Sequence, residues 1–340
     1  MRLSTLCRGT VNRGWHAPRQ SIAALFVALA MLGASLPAPV EAQNRDLRFI
    51  RDTEVENTMR VFLAPIFEAA GLDPASVRIH LIQDDAINAF VAGGMNIFIH
   101  TGLLTNADDP SEVIGVLAHE VGHITGGHLA RFRDNLENAQ IQGIAALILG
   151  SAAAIAAGEP GGIKAAAALG DQIGRRSFLN YTRQMEQSAD QAAMDFLMEA
   201  GFTPQGYKEI LLKLQRRAKL YSAGANPYDQ THPVTEDRIA FVENQLANWP
   251  QDMSGIPDSY VELHERTRAK LIAYLQEPER TLETYGPDQT GLPARYARAI
   301  AHMRAYRPKE ALEIANALIA DYPKDPFFYE LKGDILLNGG

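Results

Sequence analysis

Two histidines and a glutamate in the run Leu117-Ala118-His119-Glu120-Val121-Gly122-His123 have the types and spacing for metal-assisted hydrolysis. Histidines four residues apart share one face of a helix, so both imidazoles can reach one tetrahedral Zn²⁺, one ion per chain. Glu120 projects beside them and can take a proton from a metal-bound water. A chain of this composition holds an HExxH pattern by chance only roughly 0.015 times. Two histidines leave the metal short of a ligand. The extended spacing HExxHxxGxxH keeps Gly126 but fails at its end, because His128 follows His123 by five residues and not six. The other source is a carboxylate on a later helix. Met185-Glu186-Gln187-Ser188-Ala189-Asp190 offers Glu186 as ligand, with Asp190 one turn on to orient a ligand histidine.

These residues need helices to hold them, and the chain supplies them. Asp109-Pro110 opens a helix expected to run through about Arg131. Residues 181–200 form another, stopped by Gly201, and Thr203-Pro204 starts the next. Upstream, residues 46–70 read as an amphipathic helix that Pro65 should kink. Val77, Ile79 and Leu81 alternate with polar residues as a strand, and Asn96-Ile97-Phe98-Ile99-His100 forms a second after the Gly93-Gly94 turn. Helices from about Thr235 and over 258–275 close the main body. The fold class is therefore mainly α with a small β-sheet, α+β. The uncharged run 143–158, with a second Ala-rich run over 165–170, allows two readings. One is an apolar hairpin that covers a cleft or makes peripheral contact with a membrane; the other, favoured by its Ala and Gly content, is a pair of buried core helices.

The ends of the chain differ in character. Arg2, Arg8, Arg13 and Arg19 precede an uncharged run over 21–36, and Val40-Glu41-Ala42 follows, the pattern of a secretory signal peptide over 1–42. Of 340 residues at net charge −8, removing these leaves 28 basic against 39 acidic residues, or −11, and no cysteine, since Cys7 leaves too. That balance excludes a nucleic-acid binder and polybasic docking on anionic lipid. A thiol-free exported protein relies on a hydrophobic core and a metal. Residues 43–275 are expected as the catalytic domain, and 276–292, rich in Pro, Gly and Thr, as a linker. Over 293–340, Ala311, Pro323 and Gly333 fit a 34-residue tetratricopeptide period, with fewer than two units present.

Taken together, Asn88-Ala89-Phe90, Gly93-Gly94, Gly102-Leu103-Leu104, LAHEVGH, RQMEQSAD and His232-Pro233 with Arg238 resemble the BepA-like family of HExxH zinc peptidases. The family is shared with a mitochondrial inner-membrane peptidase and CAAX-prenyl-type endopeptidases, and the resemblance covers about residues 45–250. It implies a gluzincin-type domain and a zinc metalloendopeptidase with His119, His123 and Glu186 as ligands and Glu120 as general base. It further implies that Asp190 bonds the first ligand histidine and that Arg238 supports the site. His232 would stabilise the oxyanion or cap the zinc at rest. Asn96, Ile97, Phe98 and Ile99 would be the edge strand on which an extended substrate pairs. His128 is given no catalytic role, and His80, His100, His264 and His302 are read as surface or packing residues. The implied setting is the periplasm, with unfolded or stalled outer-membrane proteins and their assembly machinery as partners. A chaperone or scaffold role for the repeat surface, with proteolysis mostly repressed, is the alternative.

Overall fold

The computed structural model describes residues 48–156, 162–220, 232–250, 253 and 255–338. The segment expected as a signal peptide lies outside the described residues. Strand β1 (Phe49–Ile50) leads into helix α1 (Thr53–Ala69), whose start is fixed by Asp52 accepting from Val55 N–H. The sequence reading folded β1 into the helix; Asp52 is the cap that separates them. α1 runs through Pro65 and buries Val55, Met59, Phe62 and Ile66, the stripe its 3.6-residue period predicts.

The sheet follows: β2 (Arg78–Ile82), β3 (Ala89–Ala92) and β4 (Asn96–His100), in the order β1-β2-β4-β3. β4 runs parallel to β2 and antiparallel to β3, with Ile99 opposite Leu81 on one side and Ala89 on the other. The expectation that Asn96, Ile97, Phe98 and Ile99 form an edge is therefore corrected. β4 is paired on both sides, and the sheet's edges are β1 and β3. One side of the sheet buries Ile79, Leu81, Ile97 and Ile99 in the core.

Next come α2 (Thr101–Asn106) and α3 (Pro110–Thr125), the latter capped by Asp109, which accepts from Ser111 N–H. α3 is buried from Pro110 to His123 except for partly covered Ser111. α4 (His128–Ala156) and α5 (Gly162–Glu199) pack along each other; α6 (Gln205–Leu220) packs on α3, and α7 (Glu236–Ala247) packs on α5 and α6. Gly122 lets α5 approach closely, for a Cβ there would stand 2.8 Å from the Ala189 carbonyl oxygen. Within the uncharged run Ile144 is 56% exposed and Leu149 72%, so at these positions the expected pair of buried helices does not hold. Among the described residues no helix is long and apolar enough to cross a membrane.

α8 (Asp258–Leu275) borders both halves of the core. Leu271 joins the first cluster, while Ala269 and Ala273 pack with Tyr296, Ile300, Ala315, Leu318 and Phe328 in a second. The stretch expected as a linker contains α9 (Pro278–Thr284), with Pro278 at its first turn and Thr281 buried. α10 (Leu292–Arg304), α11 (Pro308–Asp321) and α12 (Pro326–Asn338) follow. A cluster of charge joins this region to α1. Lys270 Nζ lies 2.8 Å from both Asp52 and Glu54, and Tyr296 donates to Glu54 over 2.9 Å. Arg266 pairs with Glu54 and Asp325 and stands 4.5 Å over the Phe328 ring.

Candidate metal centre

α3 presents His119 and His123 on one face, and α5, held close by Gly122, presents Glu186 opposite them. His119 Nε2 and His123 Nε2 are 3.0 Å apart. Glu186 Oε2 lies 3.3 Å from His119 Nε2, and Oε1 lies 3.3 Å from His123 Nε2. His232, just before α7, adds Nδ1 at 3.4 Å from His119 Nε2 and 3.2 Å from Glu186 Oε1. All four residues are buried.

These separations test whether a metal fits. Ligands at 2.0–2.1 Å around a tetrahedral Zn²⁺ stand about 3.3 Å from one another, so the donors have the spacing of one coordination sphere. Charge points the same way. With the histidines neutral and the acids ionised, as metal binding requires, the buried carboxylates of Glu120, Glu186 and Asp190 against the one buried guanidinium of Arg238 leave two negative charges for a divalent ion to neutralise. The donor set, imidazole and carboxylate without thiolate, suits zinc.

A second layer holds the first. Asp190 Oδ1 lies 2.9 Å from His119 Nδ1, so the ring's other nitrogen faces the donor cluster. Arg238, in the first turn of α7, grips Asp190 with Nε at 2.7 Å and Nη2 at 2.8 Å, and reaches Glu186 Oε2 with Nη1 at 2.8 Å. Tyr207 of α6 donates to Asp190 over 2.6 Å and accepts from Arg238 over 2.8 Å. Thus His119, His123, Glu186 and His232 converge as read from the sequence, with Asp190 and Arg238 behind them.

The electrostatics distinguish the two motif histidines. Burial and the Arg238 charge oppose a proton on His119, but Asp190 and Glu186 outweigh them and carry its pKa up to about 9. At His123 burial dominates and carries the pKa down to about 3. Burial alone would raise the Glu186 carboxyl, yet His232, His119 and His123 hold it well below the usual carboxylate value. Glu120 goes the other way: burial raises it, and neither oxygen accepts a hydrogen bond. His232 Nε2 stands 3.5 Å from its Oε1.

Tyr207 escaped the sequence reading, and His128 was weighed there only as a metal ligand and set aside. Nothing in spacing marks Tyr207, which reaches Asp190 only through tertiary packing. His128 carried a local signal, the Gly126-Gly127 pair that breaks the helix after His123. The other histidines pack: His80 bonds Asn96 and stacks on Phe98, while His264 donates to the Ala107 carbonyl.

The chain also resembles known proteins. A model of Peptidase family M48 matches residues 51–246. The beta-barrel assembly-enhancing protease of Escherichia coli O157:H7 is 31% identical over 265 residues, 75% of this chain and 52% of that protein. A putative beta-barrel assembly-enhancing protease of Vibrio cholerae is 27% identical over 263 residues, 75% and 53% of the two chains. The mitochondrial metalloendopeptidase OMA1 of Schizosaccharomyces pombe is 25% identical over 192 residues, 54% and 51%. The chain spans about half the length of these curated relatives.

Proposed function

The chain belongs to peptidase family M48, a family of zinc metallopeptidases, and from that premise we propose that it is an endopeptidase working through His119, His123, Glu186 and Glu120. The observation that carries this reading is Glu120 itself: a buried carboxyl with two unbonded oxygens beside a tetrahedral set of donors. A carboxylate left this way is costly unless a reacting group completes it.

Zn²⁺ held by His119, His123 and Glu186 would supply Lewis acidity toward a water and a peptide carbonyl. Glu120 takes the proton of the attacking water and returns it to the leaving amine nitrogen. Burial raises its pKa, which suits a group that must both accept and give a proton. Asp190 keeps the His119 proton on Nδ1, and Arg238 with Tyr207 keeps Asp190 ionised and in place. The free edge of β3, which packs against α3, suits an extended polypeptide added as a further strand.

His232 supports a repressed resting state. Its Nδ1 makes a fourth donor, and four protein ligands are the mark of a closed site. Withdrawal of His232 would open that position to a water or a peptide carbonyl. This also favours the second reading, in which the 293–340 repeats act as a chaperone or scaffold while cleavage is held back.

We extend to this chain the β-barrel assembly that its relatives' names carry, and add the setting that the 1–42 signal-peptide pattern supports: an exported protein of the periplasm, with that segment removed, acting on outer-membrane polypeptides. The test is zinc content and turnover of casein and of an unfolded β-barrel protein, for the wild type and His232→Ala. One zinc per chain and faster cleavage by the variant are expected. Absence of zinc in the wild type would refute the site, and slower cleavage by the variant would refute the cap.

A further inference from the structure

Between His123 and His128 the backbone does what a continuous helix would not allow. Five residues at 100° each would turn His128 about 140° away from His123 around the axis. Instead α3 ends at Thr125, Gly127 takes φ +60°, and α4 begins at His128. The His128 ring folds back over this break, so close that a Cβ on Gly126 would stand 2.4 Å from its Nε2. Arg131 donates to the Gly126 carbonyl and ties the turn to α4. The result is a ring 4% exposed, with Nδ1 3.0 Å from Nδ1 of His123 and the two rings at 80°.

We propose that His128 is a positioning residue for His123, accepting its Nδ1–H and thereby fixing which nitrogen of His123 is free to bind metal. The proposal rests on the zinc site read above. Two imidazole nitrogens at this distance form a bond only if one carries the proton and the other does not. His123 Nε2 faces His119 and Glu186 and must offer a lone pair there, so its proton sits on Nδ1. His128 Nδ1 is then the acceptor, and its own proton lies on Nε2, 3.4 Å from Ser188 Oγ. Ser188 stands on α5 two residues after Glu186, so the relay ends on the helix that supplies the carboxylate ligand. The two motif histidines thus differ in what stands behind them, an ionised carboxylate for His119 and a neutral imidazole for His123. The weaker acceptor leaves His123 the less basic ligand.

The test uses the full chain and compares the wild type with His128→Phe, which keeps the ring volume and removes the acceptor, and His128→Asn, which keeps an acceptor. Zinc affinity is read by competition with a chromogenic chelator, and ligand geometry by the absorption spectrum of the Co²⁺ form. Circular dichroism in chelator establishes that each variant folds. The Phe variant should bind zinc about 10- to 100-fold more weakly and shift the Co²⁺ bands, with Asn recovering most of both. Gly126→Ala, which pushes the native ring aside, should reproduce the Phe defect with His128 still present. Zinc affinity and Co²⁺ bands in the Phe variant equal to wild type would overturn the proposal, as would equal losses in Phe and Asn. A wild type that binds no zinc would overturn the site and this inference together, which separates the two failures.

Discussion

Among the described residues, the buried charges around Lys270 and those around His119 differ in one respect: only the first cluster is complete. Around Lys270 each group has its counterpart: Glu54 meets Lys270, Arg266 and Tyr296, while Asp52 and Asp325 keep contact with water at 18% and 19% exposure. Around His119 the carboxylates outnumber the guanidinium, and Glu120 accepts no hydrogen bond. The first is a joint between α1, α8, α10 and the start of α12. The second is left open in charge and in bonding for something the protein must acquire, as expected of a site where chemistry occurs.

The sharpest way to break this contrast is Glu120→Gln. Hydrolysis of casein should fall about 10²- to 10⁴-fold while zinc content stays at one per chain. If zinc were lost as well, Glu120 would belong to the holding set and not to the reacting one. At the joint, Lys270→Met leaves Glu54 short of a cation and should cost about 3–5 kcal/mol in denaturant unfolding, with zinc per folded chain unchanged. Withdrawing zinc with a chelator should cost about 4 kcal/mol relative to free zinc at a thousandfold excess over Kd. Because the clusters share no residue, the two losses should add to within about 0.5 kcal/mol; a larger coupling would mean that the joint reports to the site.

A buried histidine outside both clusters gives the smallest effect and serves as the control. Burial lowers the His264 pKa below 6.5, so the folded protein keeps it neutral. Its contribution to stability is complete above that pH and is lost as pH falls through the lowered folded value. For one group the slope stays within about 1.4 kcal/mol per pH unit. Unfolding followed by fluorescence from pH 7.5 to 5 should show this decline in the wild type and a flatter one in His264→Gln.

What the sequence made legible, and what it hid, follows from how local each signal is. HExxH is legible because His119, Glu120 and His123 act within one turn of helix, and Glu186 because a metal with two histidines demands another ligand. Helix starts at Asp109, Thr235 and Pro308 could be read from caps and prolines. The position of β4 could not, since alternation identifies a strand but not its neighbours in the sheet. β3 was missed because Ala89-Phe90-Val91-Ala92 is short and nearly all apolar. Tyr207 became visible only when α6 was laid against α3 and α5. Gly126 was in plain view, but it was weighed as metal-ligand spacing and not, with Gly127 after it, as the end of a helix.

The donors themselves come from far apart along the chain, with His119 and His232 separated by 113 residues. Contacts of such long range are closed late, because their loop entropy is recovered only once the intervening segments have packed. A newly made polypeptide therefore carries the motif without the reactivity. Completion of folding is the safety catch, and the hydrolase stays latent until its own chain is no longer an easy substrate.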